Sequence, residues 1–155
     1  MIQRIQTIFL LITAVALAVF LATNSWTATG ADNTVLVNPY QIVQTKGALA
    51  AFKKEIFYVA VMAVLSIALS IFTIFQFKNR LRQMMLVALN SLLIGIAVAT
   101  LVYHVKYDAM TLDGVGEGTF GIGLYAGFVA LVANWLARRF IGKDEKLVKD
   151  ADRMR

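Results

Sequence analysis

Four long stretches without a charged residue constrain the possible folds of this chain more than any other feature. They cover residues 8–22, 56–75, 84–103 and 119–137, and none contains proline. Each has close to the ~20 residues that a helix needs to cross the ~30 Å hydrocarbon core of a bilayer. Because the runs are predominantly apolar and do not alternate, they match helices that satisfy their own backbone hydrogen bonds in lipid, and not barrel strands.

Composition agrees with a membrane location. Of the 155 residues, 59% are hydrophobic and only 15% are charged, against roughly a quarter charged in soluble domains. A soluble or disordered chain is therefore excluded. The chain has no cysteine, so disulfides, thiolate nucleophiles and Cys-based metal sites are excluded as well.

These observations predict an all-α membrane protein that forms one domain over residues 1–155. The predicted segments are spans at about 5–23, 56–75, 84–103 and 119–137, outer loops 24–55 and 104–118, a cytoplasmic connection 76–83 and a cytoplasmic tail 138–155.

The first outer loop contains the remaining structural signals. Two short β-prone runs, residues 34–37 and 41–44, flank Pro39, which favours a small β-hairpin. We expect residues 48–55 to begin the second helix, and Trp26 to lie at the membrane interface.

Basic residues set the orientation. Eleven of the fifteen lie in the N-terminus, the 76–83 connection and the tail, so the positive-inside rule predicts that both termini are cytoplasmic. The formal net charge of +6 thus reflects topology, and nucleic acid is not an expected partner. The first run also matches a secretory signal peptide, but flanking Ile2 and Ile5 and the position of Trp26 favour an uncleaved span.

Small and polar residues inside the spans indicate helix packing. Small side chains allow close helix approach, and amides need hydrogen-bond partners in lipid. The residues expected at helix contacts are Ser66, Ser70, Asn90, Gly123, Gly127 and Asn134. Dimerisation through the glycines and a polar substrate path through the amides are the alternatives.

Signals for chemistry are weak. Residues 116–121 match GxGxxG, but the βαβ context of a dinucleotide site is absent, and a flexible connection is the simpler interpretation. A single histidine, His104, cannot assemble a His-rich metal site. We therefore expect no catalytic residue, metal or cofactor.

Three function classes remain open. No ionisable residue lies deep in any span, which disfavours an ion-coupled transporter. We expect a non-catalytic accessory or scaffold subunit. The alternatives are a small transporter or channel for an uncharged or lipophilic substrate, and a membrane enzyme using Tyr40, His104 and Asp108 of the outer loops.

The tail is the candidate interaction site. We expect Gly142 to end the fourth helix and residues 143–155 to form a separate short amphipathic helix of mixed charge. Such a helix suits either a protein partner on the cytoplasmic side or the lipid surface. The candidate partner-binding residues are Glu145, Leu147, Val148, Ala151, Asp152, Arg153 and Arg155.

Three segments of the sequence also resemble those of a known protein family. MIQRIQ opens the chain, NRLRQ occupies residues 79–83, and KDEKLVKDADRMR closes it at residues 143–155. Together with four spans they resemble a domain-of-unknown-function family of small bacterial inner-membrane proteins. The resemblance implies a multi-pass protein of the bacterial inner membrane, and it supplies no site residues.

The topology is testable with reporter fusions placed after residue 6, within residues 32–39 and after residue 155. We expect them to report cytoplasm, exterior and cytoplasm, because the basic residues concentrate on one side. A mature N-terminus near Ser25 or Ala28 would instead show that the first span is a cleaved signal peptide.

Overall fold

The computed structural model describes residues 3–30, 32–47, 49–76, 79–112 and 117–153, without the side chains of residues 3, 4, 50 and 149–153. Within these ranges the helices are α1 (Gln3–Ala22), α2 (Phe57–Phe75), α3 (Arg80–His104) and α4 (Ile122–Arg153). A π-helical turn, Val105–Ala109, extends α3. The strands are β1 (Trp26–Thr29), β2 (Asn33–Val37), β3 (Gln41–Lys46), β4 (Leu49–Glu55) and β5 (Gly118–Phe120).

The four predicted helices are present, and all four are long and apolar enough to cross a membrane. Each packs against the next in sequence, and α4 closes the bundle against α1. All strands lie at one end of the bundle, which we call the sheet end. We call the opposite end, where α1 begins, α2 connects to α3 and α4 ends, the basic end.

The all-α prediction is wrong at the sheet end. The described residues contain a five-stranded antiparallel sheet in the order β4-β3-β2-β1-β5. The expected hairpin corresponds to β2 and β3. Its turn forms around Pro39, with the Asn38 side chain accepting hydrogen bonds from the amides of Tyr40 and Gln41.

The other strands depend on pairing that local sequence does not reveal. The residues 49–55, LAAFKKE, include good helix formers, but they form edge strand β4 against β3. Pairing within a sheet overrides such weak intrinsic preferences. Strands β1 and β5 have four and three residues, too few to show an alternating pattern.

The sheet shares one hydrophobic core with the bundle. Trp26, expected at the membrane interface, is instead 1% exposed and belongs to a buried cluster that includes Phe20 and Leu101. Its indole packs on Gly118 of the neighbouring strand, where a Cβ would lie 2.0 Å from the ring. Glycine at 118 is therefore required for close approach, and residues 118–120 of the GxGxxG segment form strand β5 and not a flexible connection.

Helix α4 does not end at Gly142. It continues without a break to Arg153 over 32 residues, about 48 Å at ~1.5 Å per residue. This exceeds the ~30 Å hydrocarbon core. Ile141 is the last residue of α4 in a buried hydrophobic cluster, and Leu147 and Val148 are exposed, so the end of α4 extends past the packed core of the bundle at the basic end. A glycine inside a helix costs only about 1 kcal/mol relative to alanine, which the rest of a long helix tolerates. The tail is therefore a continuation of α4 and not a separate helix.

Close packing at Gly127 is testable by substitution. A Cβ there would lie 2.9 Å from Val98 Cγ2 and 3.3 Å from Phe20 Cδ2. Gly127→Leu should lower the free energy of unfolding by ~1–3 kcal/mol through overpacking, measured as reduced thermal stability in detergent. Gly95→Leu is the matched control, since a Cβ at Gly95 meets nothing within 4 Å. Equal stability of the two variants would contradict the packing.

Candidate functional site

A polar network crosses the middle of the bundle. The Asn90 amide of α3 donates to Ser70 Oγ at 2.8 Å and to Asn134 Oδ1 at 3.1 Å, and its Oδ1 accepts from Ser66 Oγ at 2.5 Å. The Asn134 amide donates to Val87 O and Ser91 Oγ. The network joins α2, α3 and α4, and both amides use all their donors within the bundle.

Gly123 and Gly127, the two glycines of the fourth span, pack against different parts of the bundle. Gly127 faces Phe20 and Val98, while a Cβ at Gly123 would lie 2.7 Å from Ser25 Oγ. Ser66, Ser70, Asn90, Gly123, Gly127 and Asn134 are all buried within this single chain.

A second group of polar side chains lies at the sheet end. His104 Nδ1 contacts Asp108 Oδ2, and Nε2 contacts the Tyr58 hydroxyl. Lys54 of β4 forms an ion pair with Asp108 at 2.7 Å. In the imidazole tautomer with its proton on Nδ1, Tyr58 donates to His104 and His104 donates to Asp108. We call these four residues the His104 array.

The His104 array differs from the enzyme site considered from sequence. His104 and Asp108 do come together, because His104 ends α3 and Asp108 lies four residues later in the π-helical turn that extends it. Tyr40 is not part of the array; its ring packs against Phe57. Tyr58 and Lys54 were missed, since both are distant in sequence. Because Lys54 also binds Asp108, the array links β4, α2 and α3.

A third group lies at the basic end, where Asp144 of α4 is only 6% exposed. Gln6 Nε2 of α1 donates to Asp144 Oδ2 at 3.1 Å. Arg80 of α3 donates to the Asp144 carbonyl at 2.8 Å and lies 3.7 Å from its carboxylate. We call Gln6, Arg80 and Asp144 the Asp144 clamp. Stacked Phe9 and Phe140 rings, 5.3 Å apart, support it.

The structure places the predicted tail residues just beyond this clamp. Leu147 and Val148 are 58% and 44% exposed, and Glu145 is partly buried. Ala151, Asp152 and Arg153 belong to α4, with side chains outside the described set. Arg155 lies outside the described residues.

The chain belongs to the family described as Domain of unknown function (DUF4293), whose family model matches residues 2–154. No curated protein matches it. Family membership therefore identifies no activity.

The three segments that carry the family resemblance meet at the Asp144 clamp. Gln6 comes from the opening segment, Arg80 from the connection and Asp144 from the tail. Sequence reasoning did not identify these residues as a group, because the tail has many charges and nothing marks Asp144 as the buried one. The only signal was that all three segments were placed on the same side of the membrane.

The clamp predicts energetic coupling between Arg80 and Asp144. A buried carboxylate that loses its cationic partner is strongly destabilising. Arg80→Gln should therefore lower thermal stability more in the natural protein than in an Asp144→Asn background. A double-mutant cycle in detergent should give a coupling free energy of ~0.5–3 kcal/mol. Additive effects of the two substitutions would show that the contact contributes nothing.

Proposed function

We propose that the protein is a non-catalytic accessory subunit of a bacterial inner membrane that binds a protein partner through the end of α4 on the cytoplasmic side. We call this end, residues 142–153, the extension. One observation carries the proposal: α4 continues past the bundle as a single helix, fixed at Asp144, with Leu147 and Val148 exposed immediately beyond. The concentration of basic residues at this end supports a cytoplasmic location.

The Asp144 clamp favours binding by fixing the direction of the extension. Ile141 is the last residue of α4 in a buried hydrophobic cluster, together with Leu10 and Val87. The following twelve or so residues extend for about 18 Å. A helix held in one orientation loses little conformational entropy when a partner binds.

The chemistry of the extension suits a protein surface better than lipid alone. Leu147 and Val148 present adjacent apolar groups. Residues 143–155 contain four acidic and five basic residues, and acidic side chains weaken attraction to anionic lipid. Charges of both signs around an apolar contact favour a specific partner with complementary charges.

Transport of an uncharged or lipophilic substrate is less well supported. A substrate path needs polar groups free to bind the substrate, but the amide of Asn90 donates to Ser70 and Asn134. The amide of Asn134 donates to Val87 O and Ser91 Oγ. These bonds favour a structural role, worth about 0.6 kcal/mol each on average in membrane bundles.

Catalysis by the His104 array is also less well supported. In a Ser–His–Asp arrangement the carboxylate stabilises the imidazolium. Here Asp108 is already paired with Lys54 at 2.7 Å, which reduces that effect. The ion pair also gives the array a clear structural use in holding β4 against α3.

The docking proposal is testable by site-specific photo-crosslinking in native membranes. A photoreactive residue at Leu147 or Val148 should crosslink one discrete protein. The same residue at Leu81, which is equally exposed at the basic end, is the matched control and should not. Truncation after Lys146 retains Asp144 and should leave thermal stability unchanged, while abolishing co-purification of the same protein in mild detergent without crosslinking.

A charge-reversed variant separates protein from lipid. Glu145→Lys with Asp150→Lys and Asp152→Lys should bind anionic liposomes more tightly and lose the protein crosslink. Retention of the crosslink in this variant, or crosslinks only to lipid in the natural protein, would refute the docking proposal.

A further inference from the structure

A groove of about 660 Å³ opens at the basic end between the start of α3 and the second half of α4. Its apolar side is formed by Met84 and Trp135, and Gly142 lies along its course. The groove is at the level where α4 passes from the bundle core into the extension. A ligand there would contact both the hydrocarbon region and the water-facing surface.

The groove carries a strong positive charge. Among the described side chains, its lining includes Arg138, Arg139, Lys143 and Lys146, together with the acidic Glu145. All four basic side chains are exposed and project from one face of α4. Arg139 lies 5.6 Å from the Trp135 ring centre, so a cation is held above the apolar side. Basic grooves between helices at this membrane level bind anionic lipid headgroups.

Gly142 lines the groove without a side chain. A Cβ at this position would meet nothing within 4 Å, so helix packing does not require glycine here. Glycine nevertheless weakens a helix interior by about 1 kcal/mol relative to alanine. The open space beside Gly142 is therefore available to a ligand in the groove.

We propose that this groove binds one anionic phospholipid of the cytoplasmic leaflet. Its phosphate lies among Arg138, Arg139 and Lys143, and its acyl chains run along Met84 and Trp135. The proposal does not rest on the protein partner of Leu147 and Val148, because the basic side chains and the apolar pair Met84 and Trp135 that would hold the lipid are not among the candidate partner-binding residues.

Native mass spectrometry of protein released from nanodiscs tests this site. The nanodiscs contain phosphatidylcholine with a minor fraction of phosphatidylglycerol. The natural protein should retain one phosphatidylglycerol molecule in preference to phosphatidylcholine. Arg139→Gln with Lys143→Gln should reduce retention by roughly tenfold or more, since each basic residue near an anionic surface contributes about fivefold.

Two further variants distinguish a shaped site from general charge attraction. Gly142→Leu leaves every charge in place and should fold normally, yet should lose the lipid because its side chain fills the groove. Arg82→Gln removes one charge at the same end from a different groove, lined by Phe72 and Met85, and should retain the lipid.

Competition with a soluble phosphate ester tests whether the groove binds a lipid or any phosphate compound. Millimolar glycerol phosphate should not displace the bound phosphatidylglycerol, because it lacks the acyl chains that contact Met84 and Trp135. Displacement by glycerol phosphate, equal retention of both lipids, or full retention by Gly142→Leu would overturn the proposal.

Discussion

The basic end of this protein depends on the contacts that the buried carboxylate of Asp144 makes. A charge removed from water is costly unless it is paired and hydrogen-bonded, and here α1 and α3 supply the partners Gln6 and Arg80. Three helices must therefore meet at one point. That point fixes the exit of α4, and with it the exposed Leu147 and Val148 and the basic groove beside Gly142.

Polar contacts at two other levels complete the same arrangement. Apolar side chains alone give helices little specific attraction in lipid, because acyl chains are equally apolar. The Asn90–Asn134 contact fixes the middle of the bundle. The His104 array, through Lys54 and Asp108, joins the sheet to α3. Each level links elements that are far apart in sequence, so together they define one packing of the four helices.

The elements that the sequence predicts correctly are those with strong local signals. Long uncharged runs identify the helices, since lipid permits few alternatives, and Pro39 identifies the central hairpin. Strands β1 and β5 were not predictable, because each is short: β1 forms by pairing with β2 and β5, and β5 forms by pairing with β1, which is distant in sequence. Strand β4 was misread because its composition also suits a helix.

The site residues were likewise predictable only where a local signal in the sequence marks them. Asn90 and Asn134 stand out as amides within apolar runs, and the structure places both in one network. Asp144 does not stand out among the charges of the tail, and its burial is a consequence of where α1 and α3 end. Gly142 and the charge pattern of the tail together predicted a separate tail helix, whereas α4 is continuous and the tertiary contact at Asp144 holds it in place.

The central claim is that the Asp144 clamp holds the α4 extension in one orientation. The chain has no cysteine, so spin labels can be attached at Leu81→Cys and Val148→Cys without background labelling. Pulsed electron–electron distance measurement in nanodiscs should give one narrow distribution for this pair, and a broad one when Asp144→Ala is added. A broad distribution in the protein with an intact clamp, or no change with Asp144→Ala, would contradict the account.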